Sequence, residues 1–178
     1  MKLLTEASQV TKRNLIYVGA GIVFFIALLV FDIYKWVVHR IYLPMEIFFA
    51  VMFLLVLIER AKPQYVYEMK QKSLCLTKYG LFGKKILEVN YKDIVGIYNY
   101  KPQLISVIKF RHTYRMHSSL DGRNVWTLAY TVLNKKGKKE NIRIYFKPSE
   151  TMLQALREIM PSKVKVTENK VVLDMIKD

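Results

Sequence analysis

The segment KFRHTYRMH, from Lys109 to His117, alternates basic residues with aromatic and apolar ones. Successive side chains of a β-strand point to opposite faces of a sheet, so this pattern predicts a strand with one cationic face. Lys and Arg donate charge-assisted hydrogen bonds to phosphate and carboxylate oxygens, and a cationic face would therefore bind anions. The apolar face is predicted to hold Phe110, His112, Tyr114 and Met116, and the cationic face to hold Lys109, Arg111 and Arg115.

Further basic residues follow in the same part of the chain. Four lysines crowd the turn NKKGKKE, and alternation in the last predicted strand places two more cations on its outer side. We predict an anion-contacting set of ten basic residues: Lys109, Arg111, Arg115, Arg123, Lys135, Lys136, Lys138, Lys139, Arg143 and Lys147. Three interpretations remain open: a solvated outer face, contact with anionic lipid, and docking of an acidic protein partner. No recognition-helix or RNP-like pattern accompanies the charge, so nucleic acid is not expected as a partner.

Residues that could support catalysis or metal binding are few and poorly spaced. His112 and His117 are five residues apart on the predicted strand, which sends them to opposite faces, and His39 lies between the two apolar blocks. The sequence has no zinc-type Cys/His spacing, Walker sequence or Gly-x-Ser-x-Gly. Four carboxylates are expected on the surface beside strands: Glu68, Glu88, Asp93 and Asp121. We therefore predict no enzyme activity, no cofactor and no metal.

Two apolar blocks explain how a chain of 178 residues combines a net charge of +15 with 52% hydrophobic residues. Leu15–Phe31 contains 17 residues without a charge, and Ile41–Ile58 contains 18 residues with one carboxylate, Glu46. At ~1.5 Å of rise per residue the first block spans about 25 Å, near the minimum for crossing a bilayer. The blocks predict two transmembrane helices, over residues 15–38 and 41–60 in approximate terms.

A cleaved secretory signal and a buried pair of core helices are the alternatives to transmembrane helices. The apolar region of a signal is usually about 7–15 residues long and ends at small residues, whereas the first block continues into FDIYKW. Neither block shows the amphipathic stripe of a core helix. The small residues Gly19, Ala20 and Gly21 would permit close packing against another helix.

The charges that flank the two blocks predict the orientation of the chain. Three basic residues precede the first block and two follow the second, whereas the connecting segment 32–40 holds two firm cations. By the positive-inside rule, both termini are expected in the cytoplasm, with a multi-pass protein in the cell membrane. Glu46 is either a functional group inside the membrane or a residue at headgroup depth. Asp32 and Lys35 are spaced to pair on a helical extension.

Residues 63–178 differ in composition, with 22 Lys and Arg against 10 Asp and Glu, and they show period-two alternation separated by turn signals. This pattern predicts seven strands: 64–70, 73–79, 84–91, 94–100, 104–118, 125–134 and 140–147. An amphipathic helix follows, with Ser149 as its N-cap and Pro161 after its end. We expect an anchor over residues 1–62, a β domain over 63–162, and a tail over 163–178 that is loose or forms one short strand.

The order of seven antiparallel strands and one amphipathic helix is that of pleckstrin-homology (PH) domains, in which the helix closes one end of a bent, barrel-like sheet. The stretch from Lys72 to Tyr100 resembles the small bacterial membrane proteins that join two transmembrane helices to a PH-like domain, including the YcxB-like group. The step that carries this resemblance consists of Val89, Tyr91, Asp93, Ile94 and Ile97. The resemblance implies a membrane-anchored α+β fold, in which a two-helix transmembrane hairpin precedes a PH-like seven-stranded barrel or sandwich with one C-terminal helix.

Together these features predict a non-enzymatic, membrane-anchored binding or scaffold module. Its cytoplasmic domain would be held at the inner leaflet and would contact anionic lipid or an acidic protein partner. The alternative is an accessory structural subunit of a larger integral membrane complex, in which the helix pair packs against other membrane helices.

Overall fold

The computed structural model of the chain describes residues 2–61, 64–80, 83–100, 110–134 and 137–177. Within these residues the chain forms eight strands, four α-helices and one 3-10 turn at Tyr91–Asp93. The strands are β1 (Lys2–Ala7), β2 (Gln64–Lys70), β3 (Ser73–Gly80), β4 (Gly83–Asn90), β5 (Ile94–Asn99), β6 (His112–Arg115), β7 (Trp126–Leu133) and β8 (Lys139–Phe146). The helices are α1 (Lys12–His39), α2 (Pro44–Ala61), α3 (Glu150–Ile159) and α4 (Glu168–Lys177).

The strands form two open sheets of four strands each, so the fold is α+β. The first sheet has the order β1-β2-β3-β4 and the second has the order β5-β7-β8-β6. The two sheets share one core, in which the ring of Tyr67 meets the ring of Phe146 edge-on at 5.8 Å. Three buried residues of α3, Met152, Leu153 and Leu156, complete this core. No closed barrel is formed by the strands that the structure describes.

Most of the strands lie where alternation predicts them, but the prediction of one long fifth strand over residues 104–118 is wrong. Only His112–Arg115 is a strand among the described residues of that segment, and it pairs in parallel with β8 at the sheet edge. Strand alternation determines which side chains share a face, and it carries no information on which neighbour the strand joins. The burial pattern is partly as predicted, because Met116 is buried and Arg111 and Arg115 are exposed, although His112 is exposed as well.

The N-terminal segment, predicted as part of a membrane anchor, also contributes a strand to the β domain. Strand β1 pairs antiparallel with β2, so Glu6 lies opposite Tyr67 and Ala7 opposite Val66. The sequence KLLTEA has no clear period-two alternation, and it was therefore not predicted to be a strand. A boundary at residue 62 consequently divides the first sheet between two parts of the chain.

The C-terminal part contains one predicted helix and one that the sequence did not predict. Helix α3 begins as expected, because the Ser149 hydroxyl accepts a hydrogen bond of 3.1 Å from the amide of Met152. The tail was expected to be loose or to form a short strand, but residues 168–177 form α4. Val171 and Met175 of α4 are buried against β5 at Gly96, where an added Cβ would lie 2.5 Å from Val171 Cγ2.

Helices α1 and α2 pack together as a pair. The rings of Phe25 and Phe53 stack at 5.2 Å, and a Cβ at Gly21 would lie 3.3 Å from Leu57 Cδ1. Gly21 therefore serves packing within the chain's own helix pair, while a Cβ at Gly19 would meet nothing within 4 Å. The expected Asp32–Lys35 ion pair is not formed between these described residues, because Lys35 Nζ lies 4.5 Å from the Phe31 ring centroid and Asp32 is buried.

Of the helices that the structure describes, only α1 is long and apolar enough to cross a membrane. It has 28 residues, its most apolar stretch has a mean hydropathy of 2.5, and only 11% of that stretch is buried inside the protein. Helix α2 has 18 residues, and three of them are charged: Glu46, Glu59 and Arg60. The sequence predicts two membrane spans. By length and hydropathy, one described helix, α1, is suited to cross a membrane.

Candidate binding site at the helix–sheet junction

The loop between β6 and β7 attaches the start of α1 to the second sheet. The carbonyl oxygen of Leu120 accepts hydrogen bonds from Thr11 N, Thr11 Oγ1 and Asn14 Nδ2, at 3.1, 3.2 and 3.0 Å. One residue further along the loop, Asp121 Oδ2 accepts from Gln9 N at 3.2 Å. The helix pair and the β domain therefore meet at a defined junction.

A buried ionic cluster stabilises this junction. The Arg123 guanidinium pairs with Asp121 in the loop and with Glu6 of β1. Glu6 also accepts hydrogen bonds from the backbone amide and the hydroxyl of Ser149, at 3.0 and 2.6 Å. Burial lowers the pKa of Arg123 from its ordinary value, which does not stop a guanidinium from staying charged at neutral pH. The cluster thus joins β1, the loop and the start of α3.

Two residues of the predicted anion-contacting set belong to this cluster and do not form an outer surface. Lys147 is buried, and its Nζ donates a hydrogen bond to the carbonyl oxygen of Asp121. Burial lowers the pKa of Lys147, and the carboxylate of Asp121 opposes part of that shift. The predicted outward position of Lys147 is therefore wrong, and so is the predicted surface position of Asp121, which is 2% exposed. Arg123 is occupied by its two carboxylates.

The remaining described cations of the predicted set are spread along the length of β8 and do not form one compact cluster. Arg115 pairs in register with Tyr145 near the end of β8, whereas Lys138 and Lys139 lie at its beginning. Seven residue steps separate the two ends of β8, roughly 23 Å at ~3.3 Å per residue. Arg111, near the beginning of β6, forms an ion pair of 2.7 Å with Glu140.

Arg143 occupies an aromatic site of its own. Its guanidinium carbon lies 4.8 Å from the ring centroid of Phe110 and 5.3 Å from that of Tyr145, and its Nε donates to Thr113 Oγ1 at 2.9 Å. Such contacts hold a guanidinium in place and reduce its availability to an outside anion. Three predicted cations lie outside the described residues, namely Lys109, Lys135 and Lys136.

A cavity of about 510 Å³ lies at the junction of α2 with the β domain. We call it the proximal pocket. It is lined by Val56 and Glu59 of α2, Tyr65 and Lys78 of the first sheet, and the segment formed by Arg115, His117, Ser118 and Ser119. The pocket brings Arg115, which the sequence predicted, together with Glu59 and Lys78, which it did not. Nothing in the local pattern of these two residues signals the site, because only tertiary packing brings the end of α2 beside β3.

The electrostatics of the proximal pocket are set by burial and by three charged side chains. Burial raises the pKa of Tyr65, and the nearby Glu59 carboxylate raises it further, so the phenol stays neutral. Burial lowers the pKa of His117, and the hydrogen bond of its Nδ1 with the Ser118 carbonyl opposes this only in part. At neutral pH the imidazole is therefore uncharged. Lys78 and Arg115 supply positive charge, and Glu59 supplies negative charge.

A second cavity, of about 750 Å³, lies between β5, β7 and α4. Four lysines line it: Lys92, Lys139, Lys163 and Lys170. Two of them already serve the fold, since Lys163 Nζ donates to the carbonyl of Ile94 at 2.5 Å and Lys170 Nζ to that of Ser162 at 3.3 Å. This cavity includes Lys139 at the beginning of β8, whereas the proximal pocket includes Arg115, which pairs with Tyr145 near the end of β8. The two cavities are therefore separate.

The β3–β4 hairpin brings further cations to the level of the proximal pocket. Gln64, which lies three residues after the end of α2, pairs with Tyr79, and Tyr79 pairs with Lys84. Lys84 Nζ lies 5.1 Å from the centroid of the exposed Tyr79 ring, and Lys85 Nζ lies 4.5 Å from that of Tyr114. Ile86, two residues beyond Lys84, is 52% exposed. The side of this hairpin that carries Lys84 thus also carries the exposed side chains of Tyr79 and Ile86, whereas Lys85 lies on the other side, toward Tyr114.

Groups that could hold a metal are not found in the described ranges, where no cluster of three or more His, Cys, Asp or Glu side chains occurs. Glu46 lies exposed in the first turn of α2, outside both of these cavities.

The fold and the site define an α+β protein with an apolar N-terminal helix, two open sheets and a charged pocket at the helix–sheet junction. No protein-family model, curated protein or solved structure matches the chain. The resemblance to PH-like membrane proteins therefore stays a prediction.

Proposed function

We propose that the protein is a non-enzymatic, membrane-anchored binding module whose β domain lies on a bilayer surface and contacts anionic lipid. The observation that carries the proposal is the position of the β3–β4 hairpin. Its paired residues Tyr79 and Lys84 lie beside Gln64, and the three residue steps from Ala61 to Gln64 cover at most roughly 10 Å. Lys84, Lys85 and Arg115 are thus held close to the point at which the chain leaves α2.

The membrane anchor in this proposal is the α1–α2 pair inserted as a hairpin. Strand β1 precedes α1, strand β2 follows α2, and the two strands pair with each other. The chain must therefore return to the side of the membrane from which it left, so an even number of crossings is required. Although α1 alone meets the length and hydropathy of a membrane span, this return supports a crossing by α2 as well, with Glu46 and Glu59 near the two interfaces.

A cytoplasmic position of both termini follows from the positive-inside rule, because basic residues flank the helix pair on the side of the β domain. A PH-like arrangement of the domain is supported by two packed sheets followed by an amphipathic helix that contacts the shared core. Each basic residue near an anionic leaflet contributes about 1 kcal/mol, and tethering by the helix pair keeps even weak contacts occupied.

The test uses the full chain, because residues 2–7 belong to the first sheet and a fragment without them would lack a strand. Vesicles of phosphatidylcholine with and without phosphatidylglycerol would hold the protein, and hydrogen exchange of residues 78–87 would be measured. We expect protection to increase with phosphatidylglycerol and to fall as salt rises. The double variant Lys84→Glu/Lys85→Glu should lose this response.

The matched control is Arg111→Glu/Lys138→Glu, which reverses two cations near the other end of β8. It changes the net charge by the same amount and should keep the response of the hairpin to phosphatidylglycerol. Equal protection of the wild-type hairpin in neutral and anionic vesicles would refute the lipid contact.

A further inference from the structure

We propose that the proximal pocket binds the headgroup of a single ethanolamine phospholipid, a proposal that rests on the membrane anchoring proposed above and not on the surface contact of the hairpin. The lipid phosphate lies between Lys78 and Arg115, and the lipid ammonium lies against Glu59. Three properties of the pocket carry this assignment: its depth along α2, its unpaired charges, and the neutral state of His117.

The depth of the pocket matches the boundary between hydrocarbon and headgroup. Val56 and Glu59 lie one turn apart on α2, and the uncharged run of that helix, residues 47–58, ends directly before Glu59. Val56 is 41% exposed on the apolar side of this boundary. The volume of about 510 Å³ lies in the range of roughly 300–1,000 Å³ that is typical of small-molecule sites. The pocket thus has the apolar side chain of Val56 on its hydrocarbon side and the charged side chains of Glu59, Lys78 and Arg115 on its headgroup side.

The three charged side chains of the pocket have no ionic partners within the described part of the chain. The ion pairs found there are made by other residues, and Glu59, Lys78 and Arg115 take part in none of them. Lys78 Nζ lies near an aromatic ring instead, at 6.0 Å from the centroid of Tyr65. A pocket with unpaired charges of both signs is complementary to a ligand that also carries both.

The chemistry of the headgroup follows from these charges. Phosphate oxygens accept charge-assisted hydrogen bonds from a guanidinium and an ammonium, which matches Arg115 and Lys78. A primary ammonium has three N–H donors and matches the carboxylate of Glu59. A choline headgroup has no N–H to donate, and an anionic glycerol headgroup leaves Glu59 without a cation. Because His117 is neutral, it adds no further positive charge that would favour an anionic lipid over a zwitterionic one.

The test is native mass spectrometry of the detergent-purified full chain with equal concentrations of phosphatidylethanolamine, phosphatidylcholine and phosphatidylglycerol. We expect one bound phosphatidylethanolamine in preference to the other two lipids. Glu59→Gln should lower this preference over phosphatidylcholine about tenfold, the usual value of one charge-assisted hydrogen bond. Arg115→Gln and Lys78→Gln should each weaken the binding of all three lipids, because the phosphate of every lipid then loses one charged hydrogen-bond donor.

Glu46→Gln is the matched control, since it neutralises the carboxylate at the opposite end of α2, outside the pocket. Equal binding of phosphatidylethanolamine and phosphatidylcholine by the wild type, or an unchanged preference in Glu59→Gln with an unchanged melting curve, would overturn the assignment. Stronger binding of phosphatidylglycerol would also overturn it. The hairpin response to phosphatidylglycerol is a separate readout, so loss of that response with retained ethanolamine selectivity would refute the surface contact and leave the pocket assignment standing.

Discussion

Glu6 and Arg123 form an ion pair that joins the N-terminal strand to a loop more than a hundred residues later in the chain. Both side chains are largely buried, with 13% and 19% of their surfaces exposed, so the pair is shielded from solvent. The helix pair lies between these residues in sequence. Their contact therefore connects the part of the chain before the α1–α2 pair directly to the β domain after it.

Removing one partner of this pair is expected to destabilise the fold. Arg123→Ala would leave the carboxylates of Glu6 and Asp121 buried without their cation, at a cost of about 3 kcal/mol. Thermal unfolding of the detergent-solubilised full chain would measure the loss. The control is Arg111→Ala, because the Arg111 side chain is 62% exposed and its ion pair with Glu140 should contribute less than about 1 kcal/mol. Equal losses in both variants would argue against a special role for the buried cluster.

The pairing of β1 with β2 predicts the topology of the chain across the membrane. Single cysteines would replace the exposed residues Thr5, Tyr42 and Gln154 in a Cys75→Ala background. An impermeant maleimide should label Tyr42→Cys from the side opposite to the other two, because residue 42 lies in the α1–α2 connection. Labelling of all three positions from one side would contradict insertion of the helix pair as a hairpin.

Packing of α4 against β5 predicts a local effect of one added methyl group. Gly96→Ala would place its Cβ 2.5 Å from Val171 Cγ2 and 3.0 Å from Val166 Cγ2, so α4 must shift away from the sheet. We expect faster hydrogen exchange over residues 168–177 and a loss of about 1–3 kcal/mol from overpacking. Gly19→Ala is the control, since its Cβ would meet no atom within 4 Å. Unchanged exchange in α4 would show that the helix adapts without cost.

The pKa of His117 predicts a stability change in mild acid. Burial is the largest effect and lowers this pKa. The positive charges of Lys147 and Arg115 lower it further by smaller amounts, and the negative charge of Asp121 raises it by a smaller amount. The unfolded chain therefore takes up a proton first as pH falls below ~6.5, and stability is lost from there down to the folded pKa. The difference in melting temperature between wild type and His117→Gln should change within this window and stay constant above it. His112→Gln, on the exposed side of β6, controls for loss of an imidazole.

Local patterns in the sequence were sufficient to predict most of the β domain. Strand β2 spans Gln64–Lys70 as predicted, because its alternation places Tyr65, Tyr67 and Met69 on one buried side. Ser149 caps α3 because a hydroxyl before a helix satisfies an amide of its first turn. These features depend on neighbours within a few residues, and composition alone marks α1 as apolar enough to cross a membrane.

The tertiary structure decided the features that depend on partners far away in sequence. Strand β1 exists because β2 offers it an edge, and α4 is helical where its apolar side covers β5 at Gly96. Lys147 follows the alternation of β8, yet it is buried because the loop at Asp121 covers it. Likewise, Glu59, Lys78 and Arg115 meet in one pocket although none lies near another in the chain. Alternation reports which side a residue faces, whereas only packing determines what covers that side.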